Sequence, residues 1–276
     1  MMDPTITAIT LGVQDVDRAR QFYARALGCT VAQEAEGFVA LRLADDASTL
    51  ALYALNGLAA DAGVAADGTG FRGAAMSFIV DAADGVDAVV AAAQGAGGAV
   101  VKPARSQLWG GYSGYIADPD GHLWKVASNH RPPRFGKRGP SATGARAVPA
   151  PTETAITLAC TDIKKSKLFY ADGLGLAVDK SYGKFVSFKR GDASTMLSLY
   201  TWDALAEDAG VDPNGSGLRA MTLSHVVETG EQVDQVLVAA KKAGATTTDP
   251  TRAAWGGYAG FFTDPSGHLW KVASAA

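Results

Sequence analysis

The sequence predicts an α+β protein made of four βαβββ modules, and three observations carry that expectation. Trp109–Ser128, WGGYSGYIADPDGHLWKVAS, returns as Trp255–Ser274, WGGYAGFFTDPSGHLWKVAS, with 15 of 20 positions identical. A self-match of this length makes the chain a tandem duplication. Equivalent residues also keep a fixed offset: 147 for Asp15/Asp162, Phe22/Phe169, Tyr23/Tyr170, Asp61/Asp208, Gly70/Gly217 and Arg72/Arg219, then 146 at Trp109/Trp255 after one deletion. Within each copy, finally, short alternating segments are twice interrupted by a helical pattern.

Thr5 to Val13 alternates large Ile9, Leu11 and Val13 with small Ala8, Thr10 and Gly12, as a half-buried strand requires. Asp15 can cap a helix in which Val16, Ala19, Phe22, Tyr23 and Leu27 share a face, with Gly28 at its end. Strands are expected near Thr30–Gln33, Phe38–Leu43 and Thr49–Tyr53. The pattern restarts at Gly73 with a strand to Val80, then a helix carrying Val86, Val89, Val90 and Ala93 and closing at Gly97. Strands near Val100, Tyr112–Ala117 and His122–Ala127 complete the module. Each copy ends in an Asp-Pro-x-Gly turn, where proline presets the first central residue, followed by the short strand His-Leu-Trp-Lys-Val.

With 276 residues, 47% of them hydrophobic and 19% charged, the chain can form two cores. The expected boundaries are residues 1–128, a linker over 129–151 and residues 152–276. The linker holds five lysines or arginines, five prolines and no acidic residue, a composition unable to bury itself. A formal charge of −3, with no Lys/Arg-rich helix face, excludes a nucleic-acid partner. The absence of a run of about 18 apolar residues, or of a basic region before an apolar one, argues for a cytoplasmic chain with no membrane partner. Cys29 and Cys160 occupy non-equivalent places whose counterparts, Leu176 and Val13, are apolar, so both are expected in the core.

The paired βαβββ pattern, the Asp15-Val16 and Phe22-Tyr23 that follow the opening strand, and the Asp-Pro-x-Gly-His-Leu-Trp closure together resemble the vicinal oxygen chelate superfamily. That superfamily includes glyoxalase I, extradiol dioxygenases and bleomycin-resistance proteins. The resemblance covers both copies. It implies two mixed sheets curled into cups, with ligands on the concave side and helices outside. It also implies His, Gln or Glu metal ligands on the first and last strands. Carried over by position, the first-strand sites are Ala8, Ala75, Ala155 and Thr222, and the last-strand sites are Lys125 and Lys271. A lysine cation offers no lone pair to a metal. The remaining corner lies near Ala51 or Tyr53 and near Ser198 or Tyr200. The expectation is therefore a protein with no metal or other cofactor.

On the same resemblance, Lys125 and Lys271 face the cups. They read either as cations or bases for a ligand or as rim lysines that keep the sheet soluble. Trp124 and Val126 then face the helices. Tyr53 and Tyr200 read equally as pocket lining or core. Trp109 and Trp255, each before Gly-Gly-Tyr, read equally as aromatic pocket walls or loop anchors. The small residues Thr10, Ser77, Thr157 and Ser224 leave room for a ligand. His122 and His268 are expected to bond turn backbone, His225 to be an interior histidine, and Asp61 and Asp208 to cap or brace the crossovers between modules. The leading expectation is sequestration of a small organic molecule, anionic or aromatic. Its rivals are a metal-independent isomerase, lyase or cyclase and a structural or regulatory duplicate with filled cups. A monomer with an internal pseudo-twofold is expected, with exchange of modules between the cups left open.

Overall fold

The computed structural model describes residues 5–43, 49–108, 110–130, 147–190, 195–252 and 257–275. The first module contains β1 (Ala8–Val13), α1 (Val16–Leu27), β2 (Thr30–Ala35), β3 (Phe38–Arg42) and β4 (Thr49–Ala54). A crossover of α2 (Leu55–Ala62) and β5 (Gly68–Gly70) leads to β6 (Ala74–Ile79), α3 (Ala83–Gly95), β7 (Ala99–Ser106), β8 (Tyr112–Ala117) and β9 (Leu123–Ser128). The second copy runs β10 (Glu153–Cys160), α4 (Ile163–Leu168) with a π turn over Phe169–Gly173, β11 (Val178–Tyr182), β12 (Phe185–Phe188) and β13 (Thr195–Thr201). Its crossover holds α5 (Trp202–Ala209) and β14 (Gly215–Gly217). The last module is β15 (Met221–Val227), α6 (Gly230–Lys242), β16 (Thr246–Thr247), β17 (Thr251–Arg252), β18 (Tyr258–Thr263) and β19 (Leu269–Ser274). As the sequence requires, the Asp15 carboxylate accepts from Arg18 N at 2.9 Å and starts α1. The periodicity gave no warning of α2 and α5, which are too short for a convincing stripe.

Two mixed sheets result, and neither belongs to one copy. The first runs β16-β18-β19-β15-β1-β4-β3-β2, with β17 beside β18; the second runs β11-β12-β13-β10-β6-β9-β8-β7. At each junction the opening strands of the two copies pair antiparallel. Ala8 faces Ser224 and Thr10 faces Thr222 in one sheet; Ala155 faces Ser77 and Thr157 faces Ala75 in the other. Each cup is thus half of one copy and half of the other, which resolves the exchange that the sequence left open.

The period of two then sorts every strand into a convex and a concave face. Leu11, Leu52, Phe78, Val126, Ile156 and Leu223 are all fully buried on the convex side, in one core that also takes residues from α1, α3, α6 and the π turn after α4. Burial of each such side chain is worth about 1.5–3 kcal/mol, so this face holds the fold together. Trp124 and Trp270 belong to it as well, as expected. So do the free thiols Cys29 and Cys160, whose burial pushes each pKa up to about 12.

The repeated motifs meet in one hydrogen-bond network per copy. Trp124 Nε1 donates to the Tyr23 hydroxyl at 3.2 Å, and that hydroxyl donates to Asp118 at 2.7 Å. The other Asp118 oxygen accepts from the backbone N of Asp120 and His122, closing the turn. Trp270, Tyr170, Asp264, Ser266 and His268 repeat the arrangement. The Phe-Tyr and Asp-Pro-x-Gly-His-Leu-Trp motifs therefore occur together because they bond one module of a copy to the other.

The crossovers meet through β5 and β14, whose glycines leave no room for side chains. A Cβ on Gly70 would sit 2.2 Å from Asn214 O, and one on Gly215 would sit 2.1 Å from Phe71 O. Among the described residues, no helix is long and apolar enough to cross a membrane. Residues 131–146, most of the expected linker, lie outside the described set, as do Trp109 and Trp255.

Candidate functional site

The exchange regroups the candidate residues. Lys271, Phe261, Thr10, Tyr53, Thr222 and Ser224 share the concave side of the first sheet. Lys125, Tyr115, Thr157, Tyr200, Ser77 and Ser198 share that of the second. Each lysine thus shares its cup with a tyrosine from the opposite copy, Lys271 with Tyr53 and Lys125 with Tyr200.

In the second cup, α5 supplies the lysine's partner. Asp208 accepts from Lys125 Nζ at 2.7 Å and from the Tyr115 hydroxyl at 2.5 Å, on the same oxygen. Burial pushes the Asp208 carboxyl up, but the Lys125 ammonium and the two hydrogen bonds outweigh it and hold the group below its ordinary value. Burial and the neighbouring carboxylate push the Tyr115 phenol well up. Lys102 Nζ donates to the last-turn carbonyls of Asp208 at 2.6 Å and Glu207 at 3.3 Å, where a cation also suits the helix dipole. Leu205, Ala206 and Ala209 of α5 pack with Ala75, Tyr115 and Leu123. Thr157 and Ser198 satisfy each other's hydroxyls at 2.8 Å. Asp208 is therefore no helix cap but a brace between the crossover helix and the sheet, with Lys125 and Tyr115 as partners that sequence reasoning did not name. The only sequence signal was that both residues recur in the other copy, Asp208 as Asp61 and Lys125 as Lys271.

The first cup has the same frame and different fittings. A cavity of about 520 Å³ opens here, lined by Thr10, Gln33, Tyr53, Asp61, Thr222 and Lys271 among others. This size suits a small organic ligand. Phe261 stands where Tyr115 does, its ring 5.8 Å from Lys271 Nζ, so the hydroxyl that holds Asp208 has no equivalent. Asp61 accepts instead from the Tyr53 hydroxyl, whose pKa is raised by burial and by that carboxylate. Burial lowers the pKa of Lys271, and Asp61 opposes the shift. The Thr222 hydroxyl is buried, lines the cavity and has no hydrogen-bond partner among the described residues. In the second cup its place is taken by Ala75.

Other expectations need adjustment. The rings of His122 and His268 do not bond their own turns. Each Nε2 donates across the molecule to an opening strand, to Gly12 O at 3.0 Å and Ala159 O at 2.8 Å. The turn is held instead by Asp118 and Asp264, which already satisfy its backbone. His225 is interior, with Nδ1 at 3.1 Å from Thr5 O, as expected. The positions that the superfamily uses for metal carry Ala8, Thr222 and Lys271 in one cup and Ala155, Ala75 and Lys125 in the other. Methyl groups supply no donor, an ammonium repels a cation, and the one remaining hydroxyl does not replace a His or carboxylate set. Among the described residues, no three His, Cys, Asp or Glu side chains are grouped to hold one.

Two cups built from paired βαβββ modules, each with a lysine and a tyrosine on the concave sheet, define the class. The profile of the Glyoxalase/Bleomycin resistance protein/Dioxygenase superfamily matches residues 5–126 and 154–272, and the chain belongs to that superfamily. Glyoxalase I from Zea mays is similar in fold, with a TM-score of 0.63 and 16% identity over 98% of this chain and 92% of its own. A putative dioxygenase from Bacillus subtilis gives 0.63 and 15% identity over 99% and 85%. A glyoxalase-related enzyme from Fulvimarina pelagi is 29% identical over 45% of this chain and 86% of its own, with a TM-score of 0.40. No curated protein matches the sequence.

Proposed function

We propose that the protein binds a small organic molecule with an acidic or electron-rich oxygen in its first cup, without a metal, and that the second cup is the structural member of the pair. The observation that carries this reading is the cavity of about 520 Å³ lined by Lys271 and by Thr222, whose buried hydroxyl has no hydrogen-bond partner among the described residues. Desolvation of a half-buried ammonium costs free energy, and a ligand oxygen beside it lowers that cost. Phe261, Phe38 and Leu58 supply the apolar wall beside them. We further propose a monomer, because the pairing of modules between copies occurs within one chain.

Native mass spectrometry of the purified protein should show one small molecule per chain, with affinity for that molecule then measured by calorimetry. Lys271→Met should weaken binding at least about tenfold and Lys271→Arg much less, as for loss of a charge-assisted hydrogen bond. Lys125→Met should leave binding intact. Equal loss from both lysines, or from neither, overturns the assignment to the first cup. The lowered pKa of Lys271 and the Tyr53–Asp61 pair also favour a second reading, in which these groups move a proton on the bound molecule. Steady turnover lost in Lys271→Met, with binding retained, distinguishes that enzyme from a sequestering protein.

A further inference from the structure

A second cavity, of about 200 Å³, lies where the two crossovers meet, apart from either cup. Its lining includes Arg72 and Arg219, which are equivalent residues of the two copies. The duplication thus brings two guanidinium groups to one small space. Their surroundings leave that charge poorly answered. Arg72 Nη1 lies 3.2 Å from His122 Nε2 and 3.4 Å from Nδ1, of which only Nδ1 can accept, since Nε2 donates to Gly12 O. Burial holds this histidine below its ordinary pKa, so it brings no negative charge. Arg219 lies over the Trp202 ring at 4.5 Å, and its Nη1 is buried with no hydrogen-bond partner among the described residues. Burial lowers the pKa of both arginines.

The carboxylates nearby have other work. Asp118 and Asp264 close their turns and accept from Tyr23 and Tyr170; Asp120 accepts from Arg18 and Gln14 through one oxygen, and its other oxygen is buried with no hydrogen-bond partner among the described residues, so Asp118 and Asp120 act on Arg72 only through their charge. Asp212 lines the cavity but is exposed, and it accepts from Asn214 N at 2.8 Å. The remaining walls include Phe71, Met76, Val211 and Met221. Guanidinium forks match a planar two-oxygen anion, and desolvated cations gain most from one.

We propose that this cavity is a binding site for a small organic carboxylate, its oxygens held between Arg72 and Arg219 and its short apolar tail on Met76 and Met221. The exposed Asp212 carboxylate opposes a second negative charge, which favours a monocarboxylate over a phosphate dianion. The site does not rest on the reading of the first cup, and Lys271→Met separates the two.

The test is calorimetric titration of the full chain with butyrate in a chloride buffer of constant ionic strength, with inorganic phosphate in a parallel arm. Butyrate should bind saturably at one per chain and more tightly than phosphate. Arg219→Gln should weaken it at least about tenfold, the loss expected for a charge-assisted hydrogen bond, and Lys271→Met should leave it unchanged. Should Arg219→Gln fail to fold by circular dichroism, Arg219→Lys, which keeps the charge and loses the fork, should still weaken butyrate more than phosphate. Tighter phosphate binding overturns the carboxylate assignment. Butyrate heats no different from those of chloride, or unaffected by either arginine variant, overturn the site.

Discussion

The two cups are the same construction with opposite uses of one helix. In the second, α5 is fixed by Lys102 at its C-terminal carbonyls, by Lys125 and Tyr115 at Asp208, and by Trp202, which packs on Phe71 at 5.0 Å and donates to Pro213 O at 2.7 Å. In the first, the equivalents are Asp249, Lys271, Phe261, Leu55 and Leu218. Only the lysine is kept. An acid replaces the cation at the helix end, a phenyl ring replaces the phenol, and aliphatic side chains replace the aromatic pair. Divergence between the copies has kept the convex core closely packed while changing single residues, as in Val13/Cys160, Cys29/Leu176 and Phe78/His225, and on the concave face it has changed what surrounds the lysine.

Where the copies agree, equal effects are expected. Asp118→Ala and Asp264→Ala each strand a buried tyrosine hydroxyl and two turn amides, and each should cost about 3 kcal/mol in urea unfolding. A large inequality would mean that the copies contribute unequally to the shared core. Where the copies differ, so should the mutants. Asp208→Asn should cost about 1–2 kcal/mol, because Lys125 loses its ionic partner in a half-buried site, while Asp61→Asn should cost less than about 0.5 kcal/mol. The native Asp208 carboxyl is held below its unfolded value, so its contribution is complete above about pH 4 and disappears as pH falls through the lowered native value. The gap between wild type and Asp208→Asn should close over that acid range. A gap unchanged at pH 2 would break the ionic account of the second cup.

The lysines themselves should give opposite signs. Lys125→Met should destabilise by about 1 kcal/mol, a value reduced by the partial exposure of the pair. Burial makes the native state hold the Lys271 proton less tightly than the unfolded chain does, so that charge opposes folding at neutral pH and the opposition fades as alkali removes it. Lys271→Met should therefore stabilise at pH 7 by about 0.5 kcal/mol, the sign usual for a residue kept for binding. Thermal unfolding of both variants checks this, and destabilisation by Lys271→Met would place that lysine in the structure instead of the site.

The duplication made most of the frame legible. Alternation placed Lys125 opposite Trp124 and Val126, and helical spacing with the Asp15 cap placed α1, because these are local, periodic consequences of burial. Exchange of modules was illegible, since β1 pairing with β15 or with β6 buries the same side chains. The partner of Lys125 was illegible for a similar reason: Asp208 lies on a two-turn helix whose direction depends on packing against Ala159 and Leu123. The difference between the cups was present in the sequence as Tyr115/Phe261 and Lys102/Asp249, but it carried no meaning until the fold put those positions around one carboxylate.

That reading can be tested by rebuilding the second cup's contacts in the first. Asp249→Lys supplies a cation for the last-turn carbonyls of α2, worth about 0.3–1 kcal/mol at a helix C-terminus. Phe261→Tyr supplies the missing phenol opposite Asp61. Together they should slow amide exchange over Leu55–Ala62 by about two- to fivefold, with the α5 amides unchanged, and lower the affinity of the first cup for its ligand by engaging Lys271 with Asp61. The reciprocal pair, Lys102→Asp with Tyr115→Phe, should speed exchange over Trp202–Ala209. If α2 is no better protected after the exchange of polar groups, then α5 owes its position to Trp202 and Phe71. Leu55→Trp with Leu218→Phe would then be the substitutions that close the first cup.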